Sequence, residues 1–368
     1  MRFLVNSPSG FPIFFFTIKQ HLPTIDDYYR IVDQIGQGGY GSVYKAFENK
    51  TGDLVALKKV KIMDTTKVPL SCAREISALK GFRHENIVDF KGIVRCSRDN
   101  SLYLVLEYCN CDLDSLIHHY PRSNLNFDRI RSYFSHLLQA IYFLHSNNVV
   151  HRDIKPANIL INRKNCAKLA DFGFARLLTD SRPMTIKVMT PSYTAPEVLL
   201  GDNSYSSSID MWSLGCVLYE MVTGIVLFRP SNSTQVAQLS AIHNICGSLS
   251  LNDWQGVQKL PNFILVESFS NCQSQLNQIL SQTIKGEYEK FIPMIKSLLI
   301  LNPEKRITAQ EALQDPLFSN ISLQQPFIFF DSHSFSFAKE KLNVKALNED
   351  ESLLHSPPRV SPPPLRVD

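Results

Sequence analysis

HRDIKPAN occupies positions 151 to 158, and DFGFAR follows it from Asp171 onward. Asp153 lies five residues before the carboxamide of Asn158, with Lys155 between them, and Asp171 comes thirteen residues after Asn158. Phosphoryl transfer needs a group that orients the attacking hydroxyl, oxygen ligands for Mg²⁺ and a cation near the migrating phosphoryl group. These two segments supply all three kinds of group, so they predict a site for that chemistry.

Each of these side chains has an expected role. Asp153 would accept a hydrogen bond from the substrate hydroxyl and later its proton. Lys155 would neutralise the transferred phosphoryl group, and Asn158 and Asp171 are hard oxygen ligands suited to Mg²⁺. Any one of them could instead be a loop cap or a turn residue, but their combined spacing favours the site.

A glycine-rich segment, GQGGYG, lies upstream and supplies Gly36, Gly38 and Gly41. Bare backbone can approach phosphates closely, and its N–H groups can point at them. In a dinucleotide-binding fold a helix would follow these glycines. Here the strand-like SVYKAF follows, which favours a flap over a nucleotide; a simple hairpin turn is the alternative.

Lys58 and Glu75 are the next candidate pair. Lys58 lies at the end of a predicted strand, seventeen residues after Gly41, where a lysine can reach the α and β phosphates of a nucleotide. Its charge needs a carboxylate to hold it in place, and Glu75 on the following predicted helix is the candidate. An ordinary surface lysine is the alternative interpretation.

The pattern along the chain predicts an α+β fold with two lobes. A strand–turn–strand pattern over residues 29–62, then a helix over 70–82 and strand-like runs over 85–94 and 101–109, indicate a small β-rich lobe. Beyond Cys109 the apolar spacing becomes helical, which indicates a larger helical lobe. The predicted helical segments are RIRSYFSHLLQAIYFLHSNNVV, SIDMWSLGCVLYEMVTG and EKFIPMIKSLLIL.

Composition sets outer bounds on these interpretations. Hydrophobic residues make up 44% of the 368, enough for a substantial core, and the net charge of +4 does not demand a nucleic-acid partner. Eight scattered cysteines without a CxxC pair indicate reduced thiols in a cytosolic or nuclear protein. The Phe-rich start is too short to span a bilayer; we expect a poorly ordered extension over 1–27, with a secretion signal as the alternative. The Pro-rich end is expected to belong to a largely disordered tail over 319–368.

Taken in order, these motifs resemble those of eukaryotic Ser/Thr protein kinases. The glycines, Lys58, Glu75, HRDIKPAN, DFG and the APE triplet at 195–197 stand in the family's order. DMWSLG at 210–215 resembles the family's central helix, and Arg306 matches the arginine that pairs with the APE glutamate, Glu197. The resemblance covers about residues 28 to 318 and implies an N-lobe over 28–108 with one main helix and a C-lobe over 109–318.

Within the family the chain looks most like the cyclin-dependent kinases. PLSCAREI resembles their cyclin-contact helix, and WQGVQKLPNF resembles their extra segment. The resemblance implies ATP and Mg²⁺ as cofactors, Leu106 as gatekeeper, and Glu107 to Cys109 against the adenine. The implied nucleotide-binding residues are Ile35, Gly36, Gln37, Gly38, Gly39, Tyr40, Gly41, Val43, Ala56, Lys58, Leu106, Glu107, Cys109, Asp112 and Leu160.

The resemblance also implies how the protein is regulated and what it meets. Thr185 matches the phosphorylated position of the activation segment, and Arg74, Arg152 and Arg176 match the arginines that gather such a phosphate. Tyr40 matches an inhibitory phosphorylation site, although an aromatic lid is an equal alternative. A cyclin and Ser/Thr protein substrates are the implied partners, without nucleic acid or membrane, in the nucleus or cytoplasm.

One segment departs from the cyclin-dependent pattern. That group has WYRAPE where this chain has PSYTAPE, with Ser192 and Thr194. The missing arginine helps to shape the pocket for proline after the phosphoacceptor, which puts proline-directed specificity in doubt. Two alternatives therefore stay open, a Ser/Thr kinase outside the cyclin-dependent group and a pseudokinase scaffold. The mitogen-activated branch is disfavoured because Thr185-Ile186-Lys187 lacks the tyrosine of a Thr-x-Tyr pair.

Overall fold

The computed structural model describes residues 24–38, 41–61, 70–96, 98, 101–178, 190–204, 206–232, 234–267, 269–319 and 321. Its strands are β1 (Tyr29–Gly38), β2 (Gly41–Glu48), β3 (Leu54–Lys61), β4 (Phe90–Cys96), β5 (Ser101–Glu107), β6 (Cys111–Asp112), β7 (Val149–Val150), β8 (Ile159–Ile161), β9 (Ala167–Leu169) and β10 (Arg176–Leu177). Its α-helices are α1 (Leu70–Gly81), α2 (Leu113–His118), α3 (Phe127–Ser146), α4 (Pro196–Leu199), α5 (Ser208–Thr223), α6 (Gln235–Cys246), α7 (Ile264–Glu267), α8 (Leu276–Thr283), α9 (Ile292–Leu298) and α10 (Ala309–Leu313). Within the described residues, none of these helices combines the length and apolarity that crossing a membrane requires.

The first lobe is an antiparallel sheet in the order β1-β2-β3-β5-β4. Side chains alternate between its faces with a period of two. On β3, Val55 and Leu57 belong to the cluster on one face, whereas Val60 belongs to the cluster that contains Cys72 of α1. Lys58 is two residues before Val60, so it also faces α1.

Gly41 at the start of β2 is required by close packing. Its φ is +137°, which L side chains rarely adopt, and a Cβ there would lie 1.8 Å from the carbonyl oxygen of Lys59 on β3. The hairpin also contains two register shifts, one of them between Gln34 and Gly36. Glycine therefore lets β2 approach β3 at the tip of the hairpin.

The second lobe is mostly helical and is built around α3 and α5. Asn126 caps α3 by accepting a hydrogen bond from Arg129 N, and α5 ends at Gly224 in the left-handed conformation. Nearly all of α5 is buried, as expected for a helix that is apolar on every side. A Cβ on Gly215 would come within 2.8 Å of Leu299, so α5 packs closely beside α9.

The predicted strand over residues 85–94 is only partly correct. Strand β4 begins at Phe90, because Ile87 instead forms an isolated parallel bridge with Leu169 of β9. The backbone of this stretch is therefore shared between the sheet and the helical lobe. The predicted helix over 129–150 also ends early, at Ser146, and Val149–Val150 pair with β10 as a short strand.

Candidate active site

Lys58 joins the two lobes at the candidate site. Its Nζ donates hydrogen bonds to both carboxylate oxygens of Glu75, each at 2.8 Å, and to Asp171 Oδ1 at 3.1 Å. Glu75 lies on α1 and Asp171 follows β9, so one ammonium group holds elements from both lobes. The side chains of Lys58 and Glu75 are 12% and 5% exposed. The sequence predicts the contact with Glu75, and the structure adds the contact with Asp171.

The charges in this cluster perturb one another. Burial acts to lower the pKa of Lys58, but the carboxylates of Glu75 and Asp171 outweigh it and the pKa is raised. Burial acts to raise the pKa of Asp171, and the ammonium group of Lys58 outweighs it and holds the pKa low. Burial dominates at Glu75, whose pKa is raised despite Lys58. Lys58 and Asp171 are therefore both charged at neutral pH.

A second cluster surrounds Asp153, which is 5% exposed. Asn158 Nδ2 donates to Asp153 Oδ2 at 2.8 Å, and Lys155 Nζ lies 2.9 Å from the same oxygen. Thr190 Oγ1 donates to Asp153 Oδ1 at 3.1 Å and accepts from Lys155 Nζ at 2.9 Å. The carboxylate is thus held by three neighbours, and its orientation is fixed before any substrate arrives.

Asp210 positions the segment that carries Asp153, and sequence reasoning missed this role. The carboxylate is fully buried, and it accepts from the backbone N–H groups of His151 and Arg152, each at 2.9 Å. His145 Nε2 lies 3.0 Å from it. Arg152 has a φ of 72°, a conformation that costs a non-glycine residue about 1–3 kcal/mol. In the sequence Asp210 is only one letter of DMWSLG, and no local signal shows what it binds.

Asn158 and Asp171 have donor atoms suited to Mg²⁺. Asn158 donates through Nδ2 to the backbone and side chain of Asp153, so its amide oxygen is the atom that can ligate a cation. Asp171 has an ionised carboxylate on a backbone in the left-handed conformation, with a φ of 61°. Hard oxygen donors of these two kinds fit Mg²⁺, which prefers one or two protein ligands together with phosphate oxygens.

The predicted nucleotide-binding residues come from strands of both lobes. Val43 pairs with Gly36 across the hairpin, and Ala56 pairs with Leu106 across β3 and β5. Leu160 pairs with Asp112 across β6 and β8 in the second lobe. Ile35 is half-buried, Gln37 is exposed and Cys109 is half-buried, and burial raises the pKa of the Cys109 thiol. The predictions for Gly39 and Tyr40, and for the surroundings of Gly38, lie outside the described residues.

Two of these residues have side chains with other partners. Glu107 forms an ion pair with Lys168 at 2.8 Å and accepts from Asn162 at 3.1 Å, and its backbone N–H donates to Asp89 O at 2.9 Å. Asp112 caps α2 by accepting from Ser115 N at 2.7 Å. A ribose hydroxyl at Asp112 would share a carboxylate that already stabilises a helix start.

The predicted regulatory residues are only partly within the described structure. Arg152 and Arg176 are both buried, at 3% and 8% exposure, and Arg152 Nε donates to Phe174 O at 2.6 Å. The side chain of Arg74 and the whole of Thr185 lie outside the described residues. Arg176 is in β10, which pairs with β7 directly before His151, so two of the three predicted arginines are close to the segment that carries Asp153.

A buried ion pair joins α4 to the segment between α9 and α10. Arg306 donates through Nη1 and Nη2 to the two oxygens of Glu197 at 2.7 and 3.0 Å, and both side chains are fully buried. The guanidinium also donates to Ser208 O at 2.8 Å and Ile300 O at 3.0 Å. The sequence predicts this pair, and the additional carbonyl contacts satisfy the remaining donors.

Comparison with known proteins places these features in a family. The model described as "Protein kinase domain" matches residues 29–318. Cyclin-dependent kinase 12 of Caenorhabditis elegans is 38% identical over 305 residues, which cover 78% of this chain and 40% of that protein. The chain thus spans less than half the length of this relative.

A solved structure gives the same fold. A chain in the "Crystal Structure of the yeast RNA Pol II CTD kinase CTDK-1 complex" superposes with a TM-score of 0.72 at 29% sequence identity. The match covers 82% of this chain and 96% of that one. The predicted α+β architecture, with a small sheet lobe and a larger helical lobe, is thereby confirmed.

Proposed function

The chain belongs to the protein kinase family, and from that premise we propose that it transfers the γ-phosphoryl group of ATP to serine or threonine hydroxyls of proteins. The observation that carries this proposal is Lys58, whose Nζ contacts Glu75 and Asp171 together. The Lys–Glu pair and the aspartate of DFG must both be in place for kinase catalysis. Both are assembled in this chain.

The second cluster supplies the groups that act on the protein substrate. Asp153 would accept the hydrogen bond, and then the proton, of the attacking hydroxyl. Lys155 would neutralise charge on the phosphoryl group as it moves. Thr190 bridges both side chains and holds the lysine beside the aspartate. Serine and threonine are the proposed acceptors because of the similarity to Ser/Thr kinases.

Mg²⁺ is the cofactor that protein kinases use with ATP, and Asn158 and Asp171 would hold it. The ion supplies neutralisation of charge on the phosphate oxygens when bound. The protein's own contribution is to orient these two oxygen donors, Asn158 through Asp153 and Asp171 through Lys58. Lys58 would then bind the α and β phosphates beneath the glycine flap.

A cyclin is the proposed activating partner. The name of the Caenorhabditis elegans relative says that it is cyclin-dependent, and the match to it covers 78% of this chain. Glu75 on α1 is the residue through which a partner at that helix would act, because it holds Lys58. The similar yeast complex is named as a kinase of the RNA polymerase II CTD, which makes that CTD a candidate substrate.

Phosphorylation is the proposed means of regulation. Phosphorylation of Thr185 would bring a doubly charged group to Arg74, Arg152 and Arg176, and Tyr40 is the proposed inhibitory position. The nucleus, with the cytoplasm, is the proposed location. The kinase domain is proposed to extend over 28–318, which the family match over 29–318 supports.

Phosphorylation of protein substrates by the full chain tests the function. The chain is co-purified with candidate cyclins and given ATP, Mg²⁺ and a set of Ser/Thr peptides and polymerase CTD. We expect transfer that requires a cyclin and is lost in Asp153→Asn, with ATP binding unchanged. ATP binding without transfer under every condition would instead favour a pseudokinase scaffold, and transfer without any cyclin would favour a kinase outside the cyclin-dependent group.

A further inference from the structure

Three potential metal ligands meet between α2 and α5 in the helical lobe. Asp114 and His118 are four residues apart on α2, and Glu220 projects from α5. His118 Nε2 lies 3.0 Å from Glu220 Oε1 and 3.8 Å from Asp114 Oδ1. One ligand atom from each of the three residues lies within 4.8 Å of the other two.

Glu220 differs from the other buried glutamates that the structure describes, because no lysine or arginine pairs with it there. Glu197 pairs with Arg306 and Glu75 pairs with Lys58. Glu220 is 1% exposed, and among the described residues its partners are the hydroxyl of Tyr193 and the imidazole of His118. Each of its oxygens has one neighbour, Tyr193 at Oε2 and His118 at Oε1, and a divalent cation beside Oε1 would add the opposite charge that no lysine or arginine supplies among the described residues.

The cluster is open to solvent on one side and fixed on the other. Tyr193 Oη donates to Glu220 Oε2 at 2.7 Å, which orients the carboxylate and leaves Oε1 towards His118. His118 and Asp114 are 32% and 41% exposed, so an ion can reach them from water. Zinc ligands lie about 2.0–2.2 Å from the metal, and the exposed side chain of Asp114 has the freedom to close to that distance.

We propose that Asp114, His118 and Glu220 form a Zn²⁺ site on this kinase. One imidazole nitrogen and two carboxylate oxygens are ligands that zinc accepts, and three protein ligands leave a fourth position for water. Mg²⁺ prefers oxygen ligands in near-octahedral geometry and keeps its waters, so the imidazole disfavours it here. The two ions are thus expected to bind at separate places.

Zinc at this position would connect the site to the segment that holds Asp153. Glu220 fixes Tyr193, and three residues before Tyr193 is Thr190, which bridges Asp153 and Lys155. The ion would also tie α2 to α5. Because a ligand that binds only the folded state stabilises it, Zn²⁺ is expected to raise the Tm of the protein.

Metal titration of the purified full chain tests the site. The protein is stripped with a chelator, and Zn²⁺ is titrated by calorimetry in excess Mg²⁺, with Co²⁺ absorption as the report on tetrahedral geometry. We expect one stoichiometric site, weakened in His118→Gln and Asp114→Asn by more than the roughly 10–100-fold that loss of an outer-shell partner costs. His119→Gln, one residue further along the chain, is the matched control and should bind as the parent does.

The same titrations give the results that would contradict the proposed zinc site. Equal zinc affinity in the parent, His118→Gln and Asp114→Asn would show that zinc binds elsewhere, and an absence of stoichiometric binding would exclude the site altogether. Melting curves of the metal-free proteins establish that each variant is folded. Glu220→Gln keeps an oxygen for Tyr193, so it serves as the third ligand variant.

Discussion

Asp210→Asn is expected to damage catalysis and stability together, although Asp210 touches no substrate. Its two oxygens accept from the backbone N–H groups of His151 and Arg152 and lie beside His145. An asparagine offers one oxygen in place of two, so one buried N–H group faces an amide hydrogen. Losing a hydrogen bond to a charged group costs about 1.5–3 kcal/mol. We therefore expect a decrease of that size in the free energy of unfolding.

The catalytic effect follows from the position of Asp153, directly after these two backbone groups. A displacement of about 1 Å in a catalytic group can cost about 10²-fold in rate. Because Asp210 positions Asp153 and does not bind substrate, kcat should fall by roughly that factor while KM for ATP changes little. Steady-state kinetics of the cyclin-activated protein measure kcat and KM, and urea unfolding measures the free energy of unfolding.

Asp253→Asn is the matched control for this substitution. Asp253 is 73% exposed and lies 3.5 Å from an exposed Lys305, so its loss should change stability by less than about 0.5 kcal/mol. If Asp210→Asn behaved like this control in both assays, the reasoning about the buried carboxylate would be wrong. A large loss of stability with unchanged kcat would leave its positioning role without support.

Three further predictions concern other parts of the structure. Glu197→Gln leaves the guanidinium of Arg306 buried without its partner charge, so the free energy of unfolding in urea should fall by about 3–5 kcal/mol; a change under about 1 kcal/mol would contradict this. Gly41→Ala forces a Cβ into the backbone of β3, and a nucleotide titration should show weaker ATP binding; unaltered affinity would show that the hairpin tip adapts. Lys58 holds the pKa of Asp171 below its ordinary value, so this carboxylate stays ionised well below neutrality. Protonation of Asp171 should therefore cause no loss of ATP affinity between about pH 8 and about pH 5.5. A decline in affinity centred within that range, in the parent but not in Asp171→Asn, would contradict this assignment.

The parts of the site that could be predicted from sequence are those where spacing along the chain carries the chemistry. Asp153, Lys155 and Asn158 are within one short segment, and their hydrogen bonds to one another follow from that proximity. The pairing of Lys58 with Glu75 was also predictable, because a buried ammonium group needs a carboxylate and Glu75 lies on the first helix predicted after the strand of Lys58.

The parts that could not be predicted depend on distant segments that meet only in the fold. Asp210 reaches His151 across fifty-nine residues, and Glu220 reaches His118 across one hundred and two. Nothing local in SIDMWSLGCVLYEMVTG marks its two acidic residues, Asp210 and Glu220, as buried acceptors. The contact of Glu107 with Lys168 was missed for the same reason. The cap formed by Asp112 is local, since it accepts from Ser115 three residues later, and an aspartate directly before an apolar helical run is a signal that could have predicted it.

The shared ammonium group of Lys58 has a thermodynamic consequence for whatever protein docks on α1. Glu75 competes with Asp171 for one cation, so displacement of α1 alters the charge that the nucleotide phosphates and their metal ion encounter. Linkage is reciprocal for binding free energies. A docking protein that strengthens ATP binding by some factor must itself bind more tightly, by that same factor, once ATP is present.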